Sequence, residues 1–296
     1  MNPQHKGKSP DTRPSVNVGQ ISYMNVAPVY YGLDNGDRPR WMALASAPPA
    51  ILNTMLAEGR LDISPVSSAA YARNQDDWLL LPDLSISCFG QVMSVLLVSR
   101  HPFNQLSGRT VILTRDSATA AALTRYLFAS RGIRPRIETG RVRCAGDLPD
   151  DADAALVIGD AALREKWAGG FSHVWDLGEM WRTRTGLPFV FALWAVRRAF
   201  AEKHPERVSA VAEQFHRSRC EGLGNISRIL PRASRRLGID EKMCRCYYDH
   251  LQYNLSPLQT EGLECFFEGL HRENIISRPV RLSFFSDPAC VKEYAA

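Results

Sequence analysis

The sequence predicts an α/β protein built as two lobes, each a mixed or parallel β-sheet flanked by helices. Apolar strand-like runs alternate with helical segments along most of the chain, which is typical of parallel sheets covered by helices. Two long apolar runs, Val92–Ser99 and Phe189–Val196, enclose a middle block that repeats the β-α pattern. From Ala199 onward the pattern becomes helical. We therefore expect the middle block to form a second lobe inserted into the first.

These observations predict a disordered leader over residues 1–15, two lobes, and a C-terminal tail over residues 281–296. The first lobe takes residues 16–99 and 197–280, and the second takes residues 100–196. The two long apolar runs would carry the chain between the lobes. A ligand would lie in the cleft, and hinge closure would bury it.

Each element of the first lobe rests on a local signal. Strands are short apolar runs bounded by Gly, Pro or Ser, and helices start where proline precedes a periodic apolar segment. The strands are Val16–Ile21, Arg40–Ser46, Leu61–Ser68 (which ends in a polar turn), and brief ones at Leu79–Leu81 and Ile86; the helices follow at Pro28–Gly32, Pro48–Gly59 and Ala69–Arg73.

The second lobe repeats this pattern, and the C-terminal part is predicted to be all helical. Its further strands are Gly108–Leu113, Ile133–Ile137, Ala154–Ile158 and Val174–Leu177, with helices through Leu123–Ser130 and Ala161–Trp167. The C-terminal helices are Arg198–Leu223, Ile226–Leu237, Asp240–Leu251 and Pro257–Glu273.

Composition excludes several classes of protein. The 296 residues are 45% hydrophobic, and 36 basic against 31 acidic residues give a net charge of only +5, without any nucleic-acid-binding signature. No apolar run approaches the length of a membrane span, and the leader lacks the apolar segment of a secretion signal. The seven cysteines are irregularly spaced, so we expect reduced thiols and no metal site. We expect a cytoplasmic protein with no nucleic-acid or membrane partner.

Small polar side chains follow two predicted first-lobe strands, where ligands of α/β proteins bind. Ser22 and Asn25 come after the first strand, and Ser67 and Ser68 end another. The alternative is that these side chains only cap the helices that follow.

The second lobe offers a similar set. Ser117, Ala118 and Thr119 stand between a strand and a helix, where free amide groups and hydroxyls can bind an anion. Asp160 follows another strand and either binds a ligand hydroxyl or caps the next helix. Ser94 is a lone hydroxyl in an apolar strand, which requires a hydrogen-bond partner.

The order and residue identities of seven segments, over roughly residues 16–275, resemble one family, the chorismate dehydratases of the futalosine route to menaquinone. The segments are GQISYMNVAPVYYGL, LDISPVSSAAYAR, LLLPDLSIS with MSVLLVS, LTRDSATAAAL, AALVIGDAAL and DLGEMWRTRTGLPFVFALWAVRR. The resemblance implies a type-II periplasmic-binding-protein fold and a hydro-lyase without cofactor. The reaction removes water from chorismate, a dicarboxylate, and gives 3-[(1-carboxyvinyl)oxy]benzoate. A monomer or a homodimer is expected.

The resemblance also implies roles for the candidate residues. Asn25 and Ser94 would be catalytic, with the Asn25 amide orienting the departing hydroxyl or stabilising charge that develops on C3 deprotonation. The proton acceptor stays open, and the enolpyruvyl carboxylate of the substrate itself is one candidate. Substrate binding would fall to Ser22, Ser67, Ser68, Ser117, Ala118, Thr119 and Asp160. The side chains of the loop around Phe89 are bulkier than the small, polar ones that the resemblance to the family leads us to expect.

Three other functions fit the same pattern. A sister enzyme of the pathway, dihydroxynaphthoate synthase, shares the fold and acts on a larger, cyclic futalosine derivative. A non-catalytic small-anion-binding protein would usually carry a secretion signal, and a ligand sensor would carry a DNA-binding segment. Turnover of chorismate distinguishes these functions.

Overall fold

Two β-sheets organise the computed structural model, which describes residues 15–36 and 38–286. The strands are β1 Val16–Ile21, β2 Met42–Ala47, β3 Ile63–Ser67, β4 Trp78–Cys88, β5 Val95–Ser99, β6 Thr110–Thr114, β7 Arg136–Gly140, β8 Ala154–Ile158, β9 His173–Asp176, β10 Phe189–Arg197 and β11 Leu251–Gln252. Except for residue 15, the predicted leader lies outside the described residues.

Helices cover the sheets and make up most of the C-terminal part. They are α1 Ala27–Asn35, α2 Pro49–Ala57, α3 Ser68–Asn74, α4 Ala118–Ala129, α5 Asp160–Arg164, α6 Trp167–Gly170, α7 Leu177–Thr185, α8 Arg198–Lys203, α9 Pro205–Gly224, α10 Ile226–Leu237, α11 Glu241–His250 and α12 Pro257–Arg272. None of the helices in the described ranges is long and apolar enough to cross a membrane.

The first sheet has the strand order β11-β4-β10-β3-β1-β2. Strand β1 pairs in parallel with β2 and β3, and β10 runs antiparallel between β3 and β4. All five residues of β3 are buried, as expected for a strand inside a sheet that is covered on both faces.

The second sheet has the strand order β7-β6-β8-β5-β9. Strand β6 is parallel to β7 and β8, whereas β5 is antiparallel to β8 and β9. Both sheets are therefore mixed and flanked by helices, which confirms the predicted α/β class.

The chain passes between the sheets at places that differ from the predicted crossovers. Strand β5 starts only at Val95 and lies wholly in the second sheet, while β10 lies wholly in the first. The passages are therefore residues 89–94 and 177–188, outside both long apolar runs. A division into two lobes remains our proposal, with boundaries moved to these passages.

The two passages are fixed to each other by the carboxylate of Asp176. It accepts hydrogen bonds from the backbone N–H groups of Val92 (3.0 Å) and Met93 (2.6 Å), and from those of Gly178 and Glu179 at the start of α7. Burial raises the pKa of Asp176 despite these donors. Met93 has a positive φ of 60°. These contacts break the apolar run before Val95, which is why the strand is shorter than predicted.

Other predicted elements differ in length. The two brief strands around Pro82 are one strand, β4, which continues through a bulge where Asp83 has a φ of 53°. Its long antiparallel pairing with β10 tolerates the bulge. The helix predicted over Ala161–Trp167 is divided into α5 and α6, and that over Arg198–Leu223 is divided before Pro205.

The hydrophobic core beneath the first sheet joins α1, β10 and α9. The rings of Tyr30 and Trp194 both pack on Phe215, with centroids 5.3 Å and 5.8 Å away. A Cβ atom at Gly222 would lie 2.0 Å from the Pro28 carbonyl oxygen, so glycine is required where α1 and α9 meet.

The described part of the predicted tail, residues 281–286, packs along β4. The Leu80 N–H group donates to the carbonyl oxygen of Ser283, and the Phe285 N–H group donates to that of Leu80, each over 2.8 Å. This segment therefore packs against the first sheet. Residues 287–296 lie outside the described residues.

Candidate active site

A cavity of about 330 Å³ is lined by residues that follow strands of both sheets. Six of the predicted site residues line it: Asn25, Ser67, Ser94, Ser117, Ala118 and Asp160. The described residues include no group of three His, Cys, Asp or Glu side chains that could hold a metal ion.

Asn25 lies on a 3-10 turn, Met24–Val26, between β1 and α1. Its side-chain oxygen Oδ1 is buried and has no hydrogen-bond partner in the described structure. Neither Asn25 nor Ser22 caps a helix, because the residue before α1 is Val26 and makes no side-chain cap. An unsatisfied buried acceptor is costly unless a ligand satisfies it. The site interpretation of Asn25 is therefore favoured over the capping alternative.

Three donors from the C-terminal part fix the backbone of the Asn25 turn. Tyr253 Oη donates to the carbonyl oxygen of Asn25 over 2.9 Å, and Tyr248 Oη donates to that of Met24 over 2.8 Å. Arg236 Nη2 donates to the carbonyl oxygen of Ser22 over 2.9 Å. With its backbone held at three points, the turn keeps the Asn25 amide in one position.

Ser94 lies in the passage between the sheets, one residue before β5. Its Oγ is 3.2 Å from the hydroxyl of Tyr247, which donates to it. Burial raises the pKa of Tyr247 far above its usual range, so this hydroxyl stays protonated and remains the donor. The Ser94 hydroxyl proton is then available to a ligand in the cavity.

Ser67 and Ser117 both cap helices and line the cavity. For these two residues, capping a helix is therefore compatible with a place in the site. Ser67 Oγ accepts from the N–H of Ala70 at the start of α3, and Ser117 Oγ accepts from that of Ala120 at the start of α4. Because α4 begins at Ala118, its first N–H groups have no acceptor within the helix and suit a carboxylate. Asp160 begins α5 without capping it.

Three of the predicted binding residues, Ser22, Ser68 and Thr119, do not line this cavity. The Ser68 hydroxyl donates to the carbonyl oxygen of Val190 over 2.6 Å, because a hydroxyl in an apolar interior needs an acceptor. Thr119 Oγ1 accepts from the N–H of Ala69 over 3.0 Å and so links α4 to α3. Ser22 lines a separate, arginine-rich cavity beside α10.

Sequence reasoning missed several side chains that line the cavity: Tyr23, Asn53, Arg73, Arg115 and Tyr247. Asn53 Oδ1 accepts from the N–H of Ser67 over 3.3 Å. A lone amide in the apolar helix α2 was a usable signal for Asn53. Tyr247 comes from α11, far along the chain from Ser94, so no local pattern could have found it.

Comparisons with known proteins cover most of this chain. A family described as menaquinone biosynthesis matches residues 16–272. A chorismate dehydratase of Thermus thermophilus is 35% identical over 273 residues, which are 87% of this chain and 96% of that protein. A 1,4-dihydroxy-6-naphtoate synthase of Streptomyces coelicolor is 30% identical over 163 residues, which are 50% of this chain and 53% of that protein.

A solved structure bears on the fold. The periplasmic aliphatic sulphonate-binding protein SsuA of Escherichia coli matches with a TM-score of 0.61 at 14% identity, over 91% of this chain and 90% of that one. At that identity the likeness concerns architecture alone, and it confirms the periplasmic-binding-protein fold that the sequence predicts.

Proposed function

Because this chain belongs to the menaquinone biosynthesis family, we propose that it is a chorismate dehydratase, a hydro-lyase that converts chorismate to 3-[(1-carboxyvinyl)oxy]benzoate and water. The dehydratase relative is matched along nearly its whole length, whereas the synthase relative is matched along about half. This difference supports the dehydratase over its sister enzyme.

The observation that carries the proposal is the unpartnered Oδ1 of Asn25 in the cavity. This atom can only accept a hydrogen bond. The C4 hydroxyl is the one hydrogen-bond donor of the chorismate dianion, whose other oxygens belong to carboxylates and an ether. Asn25 therefore suits the group that the reaction expels, and it orients that hydroxyl for departure.

The remaining groups follow from the same pose. Ser94 donates its hydroxyl proton toward the C4 oxygen and stabilises negative charge as the C–O bond breaks. The start of α4, with Ser117 and Ala118, binds one carboxylate, and Ser67, at the end of β3 in the first sheet, lines the same cavity. Asp160 contacts the substrate or its water.

No histidine lines the cavity in the described part of the chain. The substrate's own enolpyruvyl carboxylate takes the C3 proton in our mechanism, and the resulting carboxylic acid passes it to the departing C4 oxygen. The C3–H and C4–O bonds break, the ring becomes aromatic, and one water leaves. No external co-reactant is needed, so no cofactor is part of the proposal.

The proposal extends to a cytoplasmic enzyme that is a monomer or a homodimer and whose partner is this small dicarboxylate alone. Its test is turnover. Purified protein incubated with chorismate should remove the diene absorbance of the substrate, and mass spectrometry should find a product lighter by one water. Heat-denatured protein is the control.

Other outcomes of this assay point elsewhere. Binding of chorismate without consumption would favour a non-catalytic anion-binding protein. Consumption of the cyclic futalosine derivative with chorismate untouched would favour the synthase.

A further inference from the structure

Four charged side chains line the cavity within the described residues: Arg73, Arg115, Asp116 and Asp160. Formally these charges cancel, which leaves open how the cavity attracts a doubly charged substrate. The answer depends on which of the four charges is already neutralised by a neighbour.

Both carboxylates have arginine partners outside this cavity. Arg141 Nε donates to Asp116 Oδ2 over 2.8 Å, and a second contact makes the pair bidentate. Arg164 Nη2 lies 3.8 Å from Asp160 Oδ2. Arg141 and Arg164 line a neighbouring cavity that shares Asp116 and Asp160 with this one. The negative charge facing the substrate is therefore largely compensated.

The two arginines of the cavity have no such compensation. Among residues 15–36 and 38–286, neither the Arg73 nor the Arg115 guanidinium makes a hydrogen bond or an ion pair. Arg73 lies on α3, which follows β3 of the first sheet, and Arg115 directly follows β6 of the second. Each sheet thus contributes one unpaired cation to the wall of the same cavity.

We propose that Arg73 and Arg115 form a cationic pair that selects a dicarboxylate and binds its two carboxylates from opposite sheets. This inference rests on the proposed function for the identity of the substrate. A guanidinium offers two parallel N–H donors to a carboxylate, which gives strong and oriented binding. One arginine from each sheet matches a substrate with two separated anionic groups and disfavours a monoanion.

Because the two arginines act on substrate binding, their removal should change KM more than kcat. We expect Arg73→Gln and Arg115→Gln each to raise KM for chorismate about tenfold, with a smaller change in kcat. Added salt should raise KM of the wild type more than that of either variant, because salt screens exposed charges. Arg73→Lys and Arg115→Lys keep the charge but lose the paired N–H donors, so each should raise KM less than the corresponding glutamine variant does.

A matched control is Arg125→Gln, which removes an exposed arginine of α4 that lies outside this cavity. Its KM and kcat should equal those of the wild type. A second readout is independent of turnover. Calorimetry with isophthalate, a rigid aromatic dicarboxylate, and with benzoate, its monocarboxylate counterpart, should show selectivity for the dianion that either glutamine variant reduces.

The outcomes separate this inference from the proposed function. If chorismate is consumed and the glutamine variants keep wild-type KM and isophthalate affinity, the cationic pair is overturned and the dehydratase stands. If chorismate is untouched but isophthalate binds and the variants weaken it, the dehydratase fails and the pair stands. If neither compound is recognised, both proposals fail.

Discussion

Replacing Asn25 with alanine is expected to lower kcat for chorismate dehydration by about 100-fold or more, because loss of orientation at the reacting group has effects of that size. The substitution removes the buried Oδ1 acceptor that positions the C4 hydroxyl in our mechanism. KM should change far less, since both carboxylates keep their partners. Steady-state kinetics with chorismate measure both constants.

Two further variants examine the same amide. Asn25→Asp keeps an acceptor but places a negative charge beside a dianion, so it should raise KM as well as lower kcat. Tyr253→Phe removes the donor to the Asn25 backbone and leaves the side chain in place. It should lower kcat by a smaller factor, about tenfold, without a comparable change in KM.

Asn35 provides the matched control for the alanine substitution. It lies at the end of α1, and its amide donates to the carbonyl oxygen of Tyr31. Asn35→Ala should have wild-type kinetics. Near-wild-type turnover by folded Asn25→Ala would remove Asn25 from the mechanism.

Ser94→Ala is expected to reduce kcat by about 100-fold, the usual effect of losing one donor to a developing negative charge. It also leaves the buried Tyr247 hydroxyl without its acceptor. We expect that loss to lower the free energy of unfolding by about 1–3 kcal/mol. Kinetics with chorismate and urea unfolding measure the two effects separately.

Tyr247→Phe distinguishes the two roles of this pair. It keeps the Ser94 hydroxyl but frees it to rotate, so kcat should fall less than in Ser94→Ala. Equal losses of kcat in Ser94→Ala and Tyr247→Phe would mean that Ser94 contributes by packing with Tyr247 and not by donating a hydrogen bond to the substrate. An ordinary tyrosine loses its proton at about pH 10. Because burial raises the pKa of Tyr247 far above that value, raising the pH to about 10 should not lower kcat of the wild type through ionisation of this hydroxyl.

Much of this site is predictable from local sequence because strand ends and helix starts build it. Ser117 and Asp160 follow parallel strands of the second sheet, whose ends meet at one edge of that sheet, and Asn25 follows β1 of the first sheet. Local sequence does not reveal that Ser68 and Thr119 lie outside the lining of this cavity. Both are one or two residues into a helix, where the side chain turns away from the cavity and meets a backbone partner.

The residues that local sequence does not identify reach the site through contacts between distant parts of the chain. Tyr247 reaches Ser94 from α11, and Tyr253 reaches Asn25 from beyond β11. Hydrophobic periodicity identifies those segments as helical or buried but carries no information on their partners. The shifted passages between the sheets have the same origin, since the Asp176 carboxylate that fixes residues 92 and 93 comes from another strand.

The central claim is that chorismate lies in the cavity between the sheets with its C4 hydroxyl on the Asn25 amide. A crystal structure of the slow Ser94→Ala variant with chorismate tests it most directly. We expect the C4 oxygen about 3 Å from Asn25 Oδ1, with one carboxylate at the start of α4. Chorismate bound outside this cavity, or bound within it with the C4 hydroxyl turned away from Asn25, would contradict this binding mode.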